Sequence, residues 1–404
     1  MINKQKKEPV IRFNGFTDTW EQREFNELVE QVIREVPKPD EPYYRMSVRS
    51  HAKGTFKQFV DDPNKVAMDK LYVVKKDDLV VNITFAWEHA IAVVSEDSAG
   101  LLVSHRFPTY RADEKSDIVF LKYLVSKEEF RRKLEFISPG GAGRNRVLNK
   151  KDFLKLKVMI PNIEEQQKIG SFFKQLDETI ALQEHELLLL KEQKKSLLQK
   201  MFPKKGSKVP EMRFAEFTDD WEQHELGDYI IQFNEVTTEN NQHPVFTSSR
   251  RGLFFQKDYY EGNQIASENN IGYNIVPRGY FTYRHMSDDL VFKFNINNLA
   301  DYGIVSTLYP VFTTTEKMDS NYLQYHLNEG EEFRRFSILQ KQGGSRTYMY
   351  LSKLKCLNLT VPIIEEQRMI SSFFKQLDDT ITLQESKLET LKNMKKSFLQ
   401  KMFV

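Results

Sequence analysis

One cysteine, Cys356, occurs in 404 residues. A single thiol excludes an internal disulfide and any metal cluster held by several thiolates, and it predicts a reducing, cytoplasmic setting. No run of about 18 apolar residues occurs, and the opening Met1-Ile2-Asn3-Lys4-Gln5-Lys6-Lys7 is polar with no apolar stretch behind it. The expectation is a protein that is neither exported nor membrane-spanning. Charge of one sign is scarce as well: 59 Lys and Arg against 57 Asp and Glu leave +2, too little to argue for nucleic acid from net charge. Catalytic signatures are missing too. There is no glycine loop ending in Lys-Ser or Lys-Thr, no dinucleotide fingerprint, no paired-histidine helix and no Gly-x-Ser-x-Gly. The eight histidines are scattered, no metal site is expected, and a binding protein is expected over an enzyme.

What is present is a duplication. Pro161-Asn162-Ile163-Glu164-Glu165-Gln166 opens a helical pattern ending at Lys200-Met201-Phe202, and the same pattern returns from Pro362 to Phe403 at an offset of about 201 residues. The copies agree at roughly two positions in three without a gap, which chance does not produce. Apolar residues fall at steps of four and three: Ile169, Phe173, Leu176, Ile180, Leu187, Leu190 and Leu197 in the first copy, and Ile370, Phe374, Leu377, Ile381, Leu388, Leu391 and Phe398 in the second. That spacing is a heptad seam, the expected interface of a helix pair. It is interrupted at matching places by Gln183 and Lys194 and by Gln384 and Lys395; polar seam residues cost stability but specify register and partner. Glutamates in each first turn and lysines in each last turn suit the helix dipole.

The repeat extends beyond the helices. Phe16-Thr17-Asp18-Thr19-Trp20-Glu21-Gln22 returns as Phe217-Thr218-Asp219-Asp220-Trp221-Glu222-Gln223, so the unit is the half-chain, and Trp20 and Trp221 are expected to anchor small cores. Strand-like runs follow at Leu71 to Val74, Leu79 to Ile83 and Ala90 to Val94, then helical patterns at Ile118 to Val125 and Lys127 to Phe136. The second half repeats the order at Tyr280 to Tyr283, Leu290 to Phe294 and Gly303 to Thr307, then Tyr322 to Leu327 and Glu331 to Leu339. The predicted fold is α+β: two mixed α/β globules, at 1–160 and 204–361, separated by two long antiparallel helices at 161–203 and 362–404, which form a coiled coil with pseudo-twofold repetition. The short basic linker from Pro203 to Pro210 has its counterpart across the chain ends, as in a ring cut at one linker.

Candidate binding residues come from charge placement. Between Arg131 and Lys157 basic residues outnumber acids by seven, and from Phe333 to Lys355 no acid occurs. Both stretches hold a glycine-rich turn with arginine, Gly140-Gly141-Ala142-Gly143-Arg144 and Gly343-Gly344-Ser345-Arg346, a combination suited to phosphate or to a guanine edge. Arg146 and Tyr348 stand beside them. The stretch Ser47-Val48-Arg49-Ser50-His51, with Lys53 just beyond it, is matched at the same offset by Ser248-Ser249-Arg250-Arg251-Gly252; hydroxyls beside arginine suit a groove-reading loop and also suit a plain turn. Aromatic and basic residues interleave at Trp87, at His105 and Arg106, and at Tyr283, Arg284 and His285, a mixture that either stacks on bases or fills a core.

The duplicated Pro-x-Ile-Glu-Glu-Gln, the Ser-Phe-Phe-Lys-Gln-Leu-Asp that follows (Ser171 to Asp177, Ser372 to Asp378), the Gln-Lys-Met-Phe ends and the Phe-Thr-Asp-x-Trp-Glu-Gln openings resemble the specificity subunits of type I restriction-modification systems over essentially the whole chain. The resemblance implies two target recognition domains, each reading half of an asymmetric split site in double-stranded DNA. It also implies helices that recruit two methyltransferase subunits and then restriction/translocase subunits. S-adenosylmethionine, ATP and magnesium are then expected in those partners, with no cofactor and no catalysis in this chain. The competing expectation is a coiled-coil scaffold that binds other proteins; a weaker one is a cryptic nuclease.

Overall fold

The computed structural model describes residues 8–140, 146–204, 206–260, 269–341 and 346–404. The chain forms two compact units, Met1–Glu184 with Ser386–Val404, and His185–Glu385.

In the first unit a four-stranded antiparallel sheet runs in the order Val29–Val32, Thr109–Ala112, Leu79–Val81, Ile91–Val93. Leu79, Val80 and Val81 are all buried, so this apolar run is covered on both faces. A five-stranded sheet, Glu35–Pro37, Lys70–Val73, Leu102–Val103, Tyr43–Val48, Thr55–Val60, stands beside it. The helices Ile118–Val125 and Glu128–Phe136 follow, the first capped by the Asp117 carboxylate accepting from the Phe120 amide. Trp20 lies 2% exposed among Phe25, Phe120 and Phe403.

The second unit repeats this frame. Its four-stranded sheet, Ile230–Phe233, Val311–Thr314, Phe281–Thr282, Asn295–Ile296, has the same order. Asp319 caps the helix Ser320–Glu329 as Asp117 caps its counterpart, and Trp221 is buried like Trp20. The filling differs: in place of the five-stranded sheet stand a hairpin, Phe246–Ser249 with Gly252–Phe255, and the pair Asn274–Pro277 with Tyr302–Val305. The strand expected at Leu290 to Phe294 does not form. Leu290 takes φ 67, in the left-handed region, and the backbone of Phe294 is bonded by the side chains of Asn328 and Gln324 in place of a strand partner.

Each long helix has 38 residues, Ile163–Lys200 and Ile364–Lys401. In the first unit Phe172 meets Phe398 and Lys395 meets Asp177; in the second Lys194 meets Asp378 and Lys191 meets Glu385. The helices therefore pair antiparallel within each unit. All fourteen expected seam residues are buried or half-buried, but Ile169, Phe173, Ile370 and Phe374 belong to the globular cores. The start of each helix thus docks on its own globule, and the helix-to-helix seam lies farther along.

The Pro-x-Ile-Glu-Glu-Gln motif is that docking joint. Arg12 binds Glu165 through two hydrogen bonds of 2.7 and 2.8 Å, and Arg213 binds Glu366 through two of 2.8 and 2.7 Å. The Gln166 side chain donates to the Pro161 and Lys115 carbonyls and accepts from the Asp117 amide; Gln367 does the same with Pro362, Lys317 and Asp319. Beyond the helices, the Met212 amide donates to the Lys200 carbonyl, and at the equivalent place the Ile11 amide donates to the Lys401 carbonyl. The first of these bonds joins residues 12 positions apart and the second residues 390 apart (212 − 200 and 401 − 11). No helix among the described residues is long and apolar enough to cross a membrane.

Candidate nucleic-acid interface

In the first unit the hairpin from Tyr43 to Val60 carries Arg45, Arg49, His51, Lys53 and Lys57 and no acid. Its turn places His51 and Ala52 at φ 61 and 51, and their amides donate to the Glu88 and His89 carbonyls at 2.8 Å. Those bonds fasten the turn to the 3-10 helix Ala86–Glu88, where the Arg146 guanidinium lies 5.5 Å from the Trp87 ring. The Ile83 amide donates to the Arg106 carbonyl and the Leu148 amide to the Ile83 carbonyl. Residues 49–53, 87, 105–106 and 146, remote in sequence, are thus brought to one place. Arg49, His51, Lys53, His105 and Arg106 are exposed; Ser47, Trp87 and Arg146 are half-buried. Arg144 lies outside the described residues.

The second unit builds its counterpart differently. The turn of the hairpin Phe246–Phe255 presents Arg250 and Arg251, and the acid-free stretch runs from Asn240 to Lys257. Arg250 makes a double ion pair with Asp289 at 2.8 and 2.5 Å, which with the Ser287 hydroxyl holds that carboxylate down to about 2. Arg251 lies 4.7 Å from the Tyr259 ring, and its hydrogen bond lowers the Tyr259 phenol. Met286–Ser287 pairs with Thr347–Tyr348, which brings Arg346 to Asp288 at 3.0 Å. Between these elements lies a cleft of about 300 Å³ lined by Arg250, Arg251, Arg284, Lys293 and Asp288.

Three of the expected contact residues lie buried in this geometry. Ser248 is 6% exposed, accepts from Asn295 and donates to the Thr282 carbonyl. Tyr283 is fully buried, its hydroxyl donating to the Met349 carbonyl. His285 is 8% exposed, bonded to the Leu308 carbonyl and stacked on Tyr350. The hydroxyls of Ser248 and Tyr283 and the Nδ1 of His285 are thus bonded within the fold. Ser249 is half-buried, while Arg284, Arg346 and Tyr348 are exposed.

The basic run before the first long helix is also less available than its count implies. Arg131 pairs with Glu128 and Glu135, both on its own helix, and Lys133 donates to the Lys157 carbonyl. Sequence reading missed Lys293, Tyr259, Asp288 and Asp289; the alternation of Arg284 with the acid pair at 288–289 was the signal available for the last two. No group of three or more His, Cys, Asp or Glu placed to hold a metal occurs among the described residues.

Residues 18–192 and 219–393 match the family model of the type I restriction modification DNA specificity domain. The chain is 22% identical over 365 residues to the type I restriction enzyme MjaVIII specificity subunit of Methanocaldococcus jannaschii, covering 82% of this chain and 80% of that one. Its fold is similar to that of the type I restriction-modification system S subunit from M. genitalium, with TM-score 0.56, 11% identity, and 98% and 99% of the two chains covered. It is also similar to a chain in a structure describing complex assembly and conformational transition of the type I R-M system, with TM-score 0.52, 15% identity, and coverage of 95% and 97%.

Proposed function

The chain belongs to the type I restriction-modification DNA specificity family, whose members are non-catalytic subunits that recognise DNA sequence, and on that premise we propose that each of its two units reads one half of an asymmetric, bipartite duplex site. The observation that carries this reading is the acid-free basic hairpin turn found at the equivalent place in each unit, at 49–54 and 249–252, each fastened by contacts remote in sequence, the first to Glu88 and His89 and the second to Asp289. A two-stranded ribbon fits the major groove, and arginine forks there discriminate bases.

The contact set is Arg49, His51, Lys53, Trp87, His105, Arg106 and Arg146 with Arg144 in the first unit, and Ser249, Arg250, Arg251, Arg284, Arg346 and Tyr348 in the second. Because the frame repeats while these surfaces differ, the half-sites differ. The repeated frame recruits two methyltransferase subunits, and restriction/translocase subunits join them. S-adenosylmethionine, ATP and magnesium are used by those partners, and the assembly works in the cytoplasm.

Exchange of residues 210–361 for the matching part of a relative tests this. Mapping of methylated positions in host DNA should show one half of the site changed and the other kept. A change in both halves together would refute the modular reading.

A further inference from the structure

Building on the reading of the second unit as a half-site reader, we propose that Arg346 and Asp288 together read one G·C pair of that half-site, Arg346 at the guanine and Asp288 at the cytosine. Arg250 and Arg346 are both arginines beside an aspartate, but they are held differently. Arg250 gives both terminal nitrogens, Nη1 and Nη2, to Asp289, so its fork is spent and only Nε remains. Arg346 is held at Nε alone, by Asp288 Oδ1 at 3.0 Å. Its two terminal nitrogens bond no described residue, and the side chain is 53% exposed.

A guanidinium steadied at Nε with its terminal pair open matches the two acceptors, O6 and N7, on the major-groove edge of guanine. The second oxygen of Asp288, Oδ2, likewise has no partner among the described residues, and Asp288 is 69% exposed. A carboxylate oxygen accepts from the N4 amino group of cytosine. The acid also argues against the commoner alternative. A phosphate approaching Arg346 would meet the like charge of Asp288 beside it, whereas a neutral base edge with a donor on one side and acceptors on the other would not. The strand pairing Met286↔Tyr348 and Ser287↔Thr347 fixes the two side chains in this relation. Asp288 acts on guanine only through Arg346 and is for that contact a positioning residue.

The test uses the full chain assembled with its methyltransferase partner, after the site has been mapped by methylation. Binding is measured to duplexes in which each guanine of the second-unit half-site is replaced in turn by 7-deazaguanine, which lacks N7, or by inosine, which keeps O6 and N7. One 7-deazaguanine position should weaken the wild type by about tenfold or more, with inosine there tolerated. Arg346→Ala should show the same loss on the natural site and no further loss from the analogue. Arg346→Lys should not restore discrimination, because an ammonium lacks the planar fork. Asp288→Asn should relax the preference at that one pair while non-specific affinity stays within about threefold.

A uniform loss across all sequences in Arg346→Ala, with a salt slope shallower by about one, would make Arg346 a phosphate contact and overturn the assignment. Unchanged binding in Arg346→Ala would overturn it too, leaving sequence recognition by the chain intact. Failure of the wild-type complex to prefer its mapped site would overturn both this assignment and the half-site reading.

Discussion

Arg12→Ala tests whether the buried ion pair at the head of the first long helix holds that helix to its globule. Glu165 is 0% exposed and Arg12 14% exposed, joined by two bonds of 2.7 and 2.8 Å; the hydrogen bond to Glu165, opposed by partial burial, raises the Arg12 guanidinium. Truncating the arginine strands a carboxylate with no route to water, a loss of about 3–5 kcal/mol for a buried pair broken on one side. The direct attraction gives a similar figure, ~4 kcal/mol at about 4 Å and an effective dielectric of 20. A chain of two units does not unfold in one step, so the assay is hydrogen exchange of amides from Ile169 to Leu176. Protection there should fall by about two to four orders of magnitude. Amides from Ile370 to Leu377, behind the intact Arg213–Glu366 pair, should be unchanged and serve as the internal control. The double variant Arg12→Met with Glu165→Leu should recover most of the loss, since no charge is then stranded. A loss below one order of magnitude, or a double variant as poor as the single, would refute the account and make the pair equivalent to a surface salt bridge.

Gly303→Ala would put a Cβ 1.9 Å from a ring carbon of the buried Phe246, so the hairpin bearing Arg250 and Arg251 must shift. A destabilisation of about 1–3 kcal/mol is expected, with faster exchange in Phe246–Phe255 and weakened discrimination in the second-unit half-site only; an unchanged hairpin would contradict the packing. Lys194 and Lys395 interrupt the seam, each pairing at 2.5 Å with an aspartate that also accepts from a globule tyrosine, Tyr325 to Asp378 and Tyr123 to Asp177. Replacing both lysines by Met should raise the melting temperature of the helix pair, because a seam position becomes apolar, while blurring the spacer between half-sites through alternative registers. Methylation mapping that shows one sharp spacer in the double variant would remove the lysines from register control.

Periodicity and duplication by themselves determined the two long helices, their common frame, the buried tryptophans and the family. All of these rest on patterns local along the chain: steps of four and three, a proline and two glutamates at a helix start, a unit repeated at an offset of about 201. A local pattern cannot tell which neighbour covers an apolar face. Ile169 and Phe173 therefore read as seam residues and turn out to dock on a globule. Nor can it show how a polar atom is satisfied. Ser248 and Tyr283 looked like groove contacts until Asn295, Thr282 and Met349, distant in sequence, took up their hydroxyls. Arginines alike in the sequence were sorted by the fold: Arg131 is closed by glutamates on its own helix, Arg250 is closed by Asp289, and Arg346 is left with its fork open. The Arg131 pairs lie within one helix, three and four residues apart, but the difference between Arg250 and Arg346 depends on partners 39 and 58 positions away, which only the folded chain brings within hydrogen-bonding distance.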